Sequence, residues 1–386
     1  MALGTAATAI TPRLSSVLDL SRWVAAGLVM VVHVRENVLT ERDLVPSYAE
    51  DIHTRIIYLV TDCGAQAVMW FFVLSGFLVG GNVLIEIGRG SFTFRKYLLD
   101  RASRLYVVLL PAVLVGYSLD LLRVAMYGVA EDAAETRNES AASYGFWIVL
   151  ANLLCAQTIV APTLGSNKVL WSLAFEAWYY VLFPLLMAPF MTTRPVLSRA
   201  LLFGTGLLIA VFLSLNPWLL KMFVIWGLGA AIRFCPGPLV RARPIAWAIA
   251  VAAFVVFPVL ATKIGNYALL VVALTFANAL LAEARAKDAP SLRFSKAHAA
   301  LAGFSFSLFL VHAPALHFIL AVINDSADPR LHLHPDGWGP VAWAVGLFAV
   351  LVTYAWAFGR LTEAHTGRVR VLLARFLSAP AALPAR

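Results

Sequence analysis

The chain has 386 residues, of which 61% are hydrophobic and only 13% charged, and its mean hydropathy is +0.81. That composition excludes an ordinary soluble domain and indicates an all-α polytopic membrane protein, because apolar runs near membrane-spanning length recur from end to end. The net charge of +9 does not indicate a nucleic-acid partner, since the basic residues sit in short patches between apolar runs, as the positive-inside rule requires.

Apolar segments fall at 17–39, 56–85, 105–127, 144–160, 169–191, 199–215, 217–234, 244–262, 266–283, 300–323 and 340–361. Residues 1–16 carry a single basic residue and nothing like a cleavable signal, so they read as a cytoplasmic segment before an uncleaved signal-anchor. The first span holds Arg22 and His33. Eleven residues are close to three helical turns, so both side chains share a face about 16 Å apart along the axis. Ionisable groups inside a membrane helix are costly and point to function; a snorkelling arginine and a satisfied core histidine are the structural alternative. Phe71-Phe-Val-Leu-Ser75-Gly76-Phe77 ends the second run with a small polar pair suited to close helix packing.

Charge sets the topology. The loop with Arg89, Arg95, Lys96, Arg101 and Arg104 reads as cytoplasmic, while Glu41, Asp43, Glu50 and Asp51 before it, and Glu131, Asp132, Glu135 and Glu139 after it, read as outward. Arg101 and Arg104 are three apart on one helical face and could grip phosphate, although a solvated positive-inside cluster has the same pattern. A full crossing by 144–160 would put Arg233, Arg241, Arg243, Arg285, Lys287, Arg293 and Lys296 outside. The expectation is therefore about ten full spans, both termini cytoplasmic, with 144–160 re-entrant or interfacial and able to shape a pocket.

Further along, Trp171-Ser172-Leu173-x2-Glu176 sets a hydroxyl and a carboxylate i,i+4 within an apolar span, where the carboxylate needs a partner or stays protonated. Ser305 and His312 stack seven apart in the 300–323 segment, where core packing is one reading of His312. Glu363 follows the last span as an interfacial ion-pair candidate, and residues 363–386 form a basic tail ending in an Ala/Pro-rich stretch. His332 and His334 lack a third ligand, and Cys63, Cys155 and Cys235 show no metal spacing, so no metal site is expected. A Cys63–Cys155 disulfide stays open at this level.

The ordered series Arg22-x10-His33, Ser75-Gly76-Phe77, Arg101-x2-Arg104 with Pro111, Trp171-Ser172-Leu173-x2-Glu176 and Leu308-x3-His312-x-Pro314 resembles the bacterial membrane acyltransferase-3 family of O-acetyltransferase type. The resemblance covers roughly residues 15–365, with 17–362 as the acyltransferase-like domain and no C-terminal soluble esterase-like domain after it. The first helix departs from the family in reading Leu18-Asp19-Leu20-Ser21-Arg22-Trp23, without the usual glycines. The resemblance implies a multi-pass enzyme of the inner membrane. It would move an acyl group, most often acetyl, from cytoplasmic acyl-CoA to a hydroxyl of a glycan or other cell-surface acceptor. His33 is then the general base, and Glu176 orients it or stabilises the imidazolium. Arg22, Arg101 and Arg104 hold the CoA phosphates, while Ser75, Trp171, Ser172 and His312 are structural or position substrate. Direct transfer and an acyl-enzyme both remain open. A proton-coupled transporter using Arg, His and Glu as a relay, or a noncatalytic membrane subunit, are the competing readings.

Overall fold

A computed structural model describes residues 9–40, 52–128, 144–286, 289–335 and 337–378. The acidic stretches Glu41 to Asp51 and Glu131 to Glu139, together with Lys287, Asp336 and the tail beyond residue 378, lie outside the described residues.

The first helix, α1 (Pro12–Val38), starts where Thr11 caps it: the Thr11 hydroxyl accepts the Leu14 amide and Pro12 occupies the first turn, where its missing N–H costs nothing. Next come α2 (Ile52–Thr61) and α3 (Gly64–Ser75), a π-turn (Gly76–Gly80) and α4 (Gly81–Gly88), which together make one long apolar stretch. The long α5 (Phe94–Tyr127) follows, then the short α6 (Phe146–Leu153), α7 (Leu170–Leu186), α8 (Val196–Leu213) and α9 (Pro217–Ile232). The pair α10 (Arg243–Val255) and α11 (Phe257–Ile264) is bent by 66°. Last are α12 (Tyr267–Arg285), α13 (Ser295–Ala302), α14 (Ser305–Asn324), α15 (Gly339–Leu361) and α16 (Thr366–Ser378).

Among the described residues seven helical stretches, Ile52–Gly88 counted as one, are long and apolar enough to cross a membrane, or eight with the bent pair as one span. The expected ten would need α7 and α9 as well, and at 17 and 16 residues these rise only about 26 and 24 Å against a hydrocarbon core of about 30 Å. The eight-residue α6 is too short to span, at about 12 Å. Residues 154–169 then run without a helix until α7 begins.

Burial sorts the helices into an inner and an outer set. The Ile52–Gly88 stretch has 78% of its most apolar window buried, while α8 has 11% and turns its leucines outward, as lipid-facing helices do. The inner helix α3 packs on α1, α9 and α12, and α14 packs on α1, α5 and α15. Close approach is built in at Gly76, where an added Cβ would lie 1.8 Å from the Trp226 carbonyl oxygen of α9. At the end of α1 opposite Arg22, the chain 37–40 pairs with 331–333: Leu331 and Leu333 donate to the Asn37 and Val38 carbonyls at 2.9 Å. The helix bearing His33 is thereby tied to the loop after α14.

Candidate active site

Six of the nine residues singled out in the sequence meet around one cavity of about 150 Å³. Arg22 comes from α1, Ser75 from α3, Arg101 and Arg104 from α5, and Ser172 and Glu176 from α7. Phe71, Leu78, Tyr180, Ser305 and Phe309 complete much of the wall. Ser172, Glu176 and Tyr180 follow at four-residue steps, so one stripe of α7 faces inward.

Pro184 helps fix that stripe. Having no N–H, it leaves the Tyr180 carbonyl without its helical partner, and the Tyr97 hydroxyl donates to that carbonyl at 2.9 Å. The Tyr180 hydroxyl in turn donates to Glu176 and lies 3.5 Å from the Ser75 hydroxyl, which accepts from the Trp226 indole at 3.0 Å. The Arg101 guanidinium sits 5.9 Å from the centre of the Tyr180 ring, within cation–π range.

The other two arginines have carboxylate partners. Arg22 lies 3.6 Å from Asp19, and Arg104 lies 3.5 Å from Glu363. Glu363 is buried, and its other oxygen accepts from the amide and the hydroxyl of Ser307, both at 3.0 Å, at the first turn of α14. Three guanidinium groups around one mostly apolar cavity have the chemistry to meet an anionic group joined to an apolar arm.

The histidines form a separate cluster. His33 Nδ1 is 3.5 Å from Glu36, three residues later on α1, and the His33 ring is 5.3 Å from that of His312. His312 is fully buried. Its Nδ1 is 2.9 Å from the Leu308 carbonyl, which makes Nδ1 the protonated nitrogen and leaves Nε2 as a lone pair with no protein partner. Glu176 and His33 share no hydrogen bond or ion pair, so the expected carboxylate for His33 is supplied by Glu36. Phe309 lines the arginine cavity and packs on both Phe71 (5.7 Å) and His312 (6.4 Å). Phe309 therefore lies between the arginine cavity and His312.

Trp171 does not line the cavity but packs on Phe175 and Phe72 at 5.2 and 6.4 Å. Cys63, Cys155 and Cys235 are free thiols, so the Cys63–Cys155 pairing is not formed. No three His, Cys, Asp or Glu side chains converge as a metal site among the described residues. The sequence reading overlooked Glu36, Tyr97, Tyr180 and Phe309. Two of these carried a signal: Glu36 lies three residues after His33 and Tyr180 four after Glu176.

Residues 16–360 match an acyltransferase domain family. An uncharacterized protein of Haemophilus influenzae is 30% identical over 121 residues, covering 30% of this chain and 46% of that protein. The peptidoglycan O-acetyltransferase OatA of Listeria monocytogenes is 28% identical over 155 residues, covering 38% of this chain and 23% of its own length. The chain thus spans less than half the length of the curated relatives it matches. No solved structure matches it.

Proposed function

The chain belongs to this acyltransferase domain family, and on that premise we propose that it transfers an acyl group, acetyl first among them, from cytoplasmic acyl-CoA to a hydroxyl of a glycan or other cell-surface acceptor. The observation that carries the reading is the convergence of Arg22, Arg101 and Arg104, from two helices far apart in sequence, on one cavity with apolar walls. Guanidinium forks suit phosphates, and the aromatic and aliphatic lining suits the pantetheine arm. The chain sits in the inner membrane with both termini in the cytoplasm, so the arginine end faces the donor and the His33 end the acceptor.

A thioester is already activated, so the protein must deprotonate the acceptor and stabilise an oxyanion. His33, with Nδ1 held by Glu36, takes the acceptor proton on Nε2. The acceptor oxygen attacks the thioester carbonyl, the tetrahedral intermediate collapses, and CoA leaves as a thiolate that recovers the proton from the imidazolium. Glu36 is a positioning residue. Glu176 acts in the arginine cavity, where it fixes the Tyr180 hydroxyl, and it does not act on His33. The acyl arm reaches His33 by displacing Phe309. A transporter predicts none of this donor chemistry, and the family assignment favours the enzyme.

Melting of the detergent-purified protein with and without acetyl-CoA tests the reading. Ligand at a hundred times its dissociation constant stabilises the folded state by about 2.7 kcal/mol. The expected result is a shift that Arg101→Ala loses and His33→Ala keeps, with acyl transfer abolished in both. Absence of any shift with acetyl-CoA, longer acyl-CoAs or free CoA refutes the donor assignment.

A further inference from the structure

A second hollow, of about 90 Å³, lies against the arginine cavity. The two share Leu78, Val79 and Arg101, so they adjoin, with Arg101 at the boundary. The π-turn Gly76–Gly80 carries Leu78 and Val79, and such turns are recurrent at functional sites. The linings differ in kind. The inner cavity is mostly aromatic and aliphatic, whereas the outer hollow presents Asn82, Glu86, Lys96 and Asp100.

These four side chains are held in distinct ways. Asn82 and Glu86 are one turn apart on the same face of α4. The buried Arg233 donates to the Asn82 side-chain oxygen at 2.7 Å, which fixes the amide and leaves its NH2 as a donor. Lys96, 69% exposed, lies 3.5 Å from Glu86, a surface pair weak enough to open for a ligand. Asp100 is occupied by Arg370 of α16 at 3.6 Å.

We infer that the outer hollow seats the nucleoside end of the donor, with the amino edge of adenine on Glu86 and Asn82, the ribose phosphate on Lys96, and the diphosphate on Arg101 at the boundary. The inference rests on the proposed nucleotide thioester donor and adds the base-reading subsite. A hollow lined by cations alone would take any phosphate. A carboxylate beside a fixed amide adds a requirement for an N–H donor and for an acceptor next to it, and the edge of adenine offers both. A 6-oxo purine would instead turn an oxygen toward Glu86.

Calorimetric titration of the purified protein, its Glu86→Gln and its Lys96→Ala variants tests the subsite, with acetyl-CoA, acetyl-pantetheine and adenosine 3′,5′-bisphosphate as probes. Both variants are expected to lose about tenfold in affinity for acetyl-CoA and for the bisphosphate, and nothing for acetyl-pantetheine. The parent should also prefer the adenine bisphosphate over its hypoxanthine analogue, a preference that Glu86→Gln erases. Parent-like acetyl-CoA affinity in both variants overturns the subsite and leaves the donor reading standing. So does a parent that binds acetyl-CoA and acetyl-pantetheine but not the bisphosphate. A parent that binds none of the three probes overturns the donor reading and the subsite together.

Discussion

Replacing Gly76 by alanine should damage the protein far more than its one added methyl suggests. The new Cβ would sit 1.8 Å from the Trp226 carbonyl oxygen, 2.9 Å from its carbon and 3.1 Å from the Ala230 nitrogen. All three are backbone atoms of α9, so no rotamer change relieves the clash, and the π-turn with the end of α3 must back away by about 1.6 Å to reach an ordinary contact near 3.4 Å. Overpacking of a tight interior costs about 1–3 kcal/mol, and a backbone-to-backbone clash belongs at the upper end, equivalent to a melting decrease of roughly 6 °C or more. The same movement pulls Ser75 from the Trp226 indole and widens the wall carrying Leu78 and Val79, so acetyl-CoA binding should weaken as well. Gly227 on α9 is the internal control. Nothing lies within 4 Å of its added Cβ, and Gly227→Ala should be neutral or stabilising by about 0.5–1 kcal/mol through helix propensity. Thermal melting in detergent with and without acetyl-CoA compares the two. A Gly76→Ala protein that melts within about 2 °C of the parent and keeps its ligand response refutes the packing argument.

Tyr97→Phe removes the hydroxyl that satisfies the carbonyl freed by Pro184, and should cost about 1–3 kcal/mol in melting experiments, together with a rise in donor KM as Tyr180 shifts. Glu36→Gln should lower kcat by tenfold or more, about 1.4 kcal/mol in the barrier, at unchanged donor KM, whereas Glu176→Gln should act first on donor KM; steady-state kinetics separate the two roles. Arg104→Ala should cost more stability than Arg101→Ala, because it leaves the buried Glu363 with only its Ser307 donors, and paired melting curves measure the difference. In the loop after α14, burial pushes the Asp328 carboxyl up, but the hydrogen bonds and charge of Arg330 outweigh it and hold the group below the usual carboxylate range. A depressed pKa gives stability that is complete above about pH 4 and lost as the pH falls through the folded value, so melting should drop between pH 5 and 3 by more in the parent than in Asp328→Asn.

Hydropathy located the apolar helices but neither their lengths nor their interruptions. The 56–85 run reads as one segment because every residue near Cys63 and Gly76 is compatible with a helix, yet the chain breaks between α2 and α3 and forms a π-turn after Ser75. The start of α5 at Phe94 was hidden for the opposite reason: Arg95, Lys96, Arg101 and Arg104 continue the helix beyond the apolar part that a hydropathy window detects. Pro258 stands at the bend between α10 and α11 and was legible as a breaker inside the 244–262 segment. Within one helix, spacing gave same-face relations that the structure keeps, as for Arg101 with Arg104 and Ser172 with Glu176. Between helices, spacing carries no azimuth, and so Glu176 was matched to His33 although α7 turns it into the cavity lined by Arg22, Arg101 and Arg104.

The separation of arginines from histidines has a chemical logic of its own. Arg22 and His33 lie on one continuous helix, about 16 Å apart along its axis, so a ligand that touches both must carry its anionic group at one end of a long arm and its reacting group at the other. A short anionic metabolite could satisfy the arginines and never meet an imidazole. Phe309 lines the arginine cavity and meets His312 on its other side. Under the proposed reaction, a thioester held in the arginine cavity would lie on the far side of Phe309 from His312 and the partly exposed His33, away from water that His33 could activate. Wasteful hydrolysis of the donor would be suppressed until an arm long enough to move Phe309 brings its carbonyl to the base. The length of the donor would then be read by the distance along α1, and its charge by Arg22, Arg101 and Arg104.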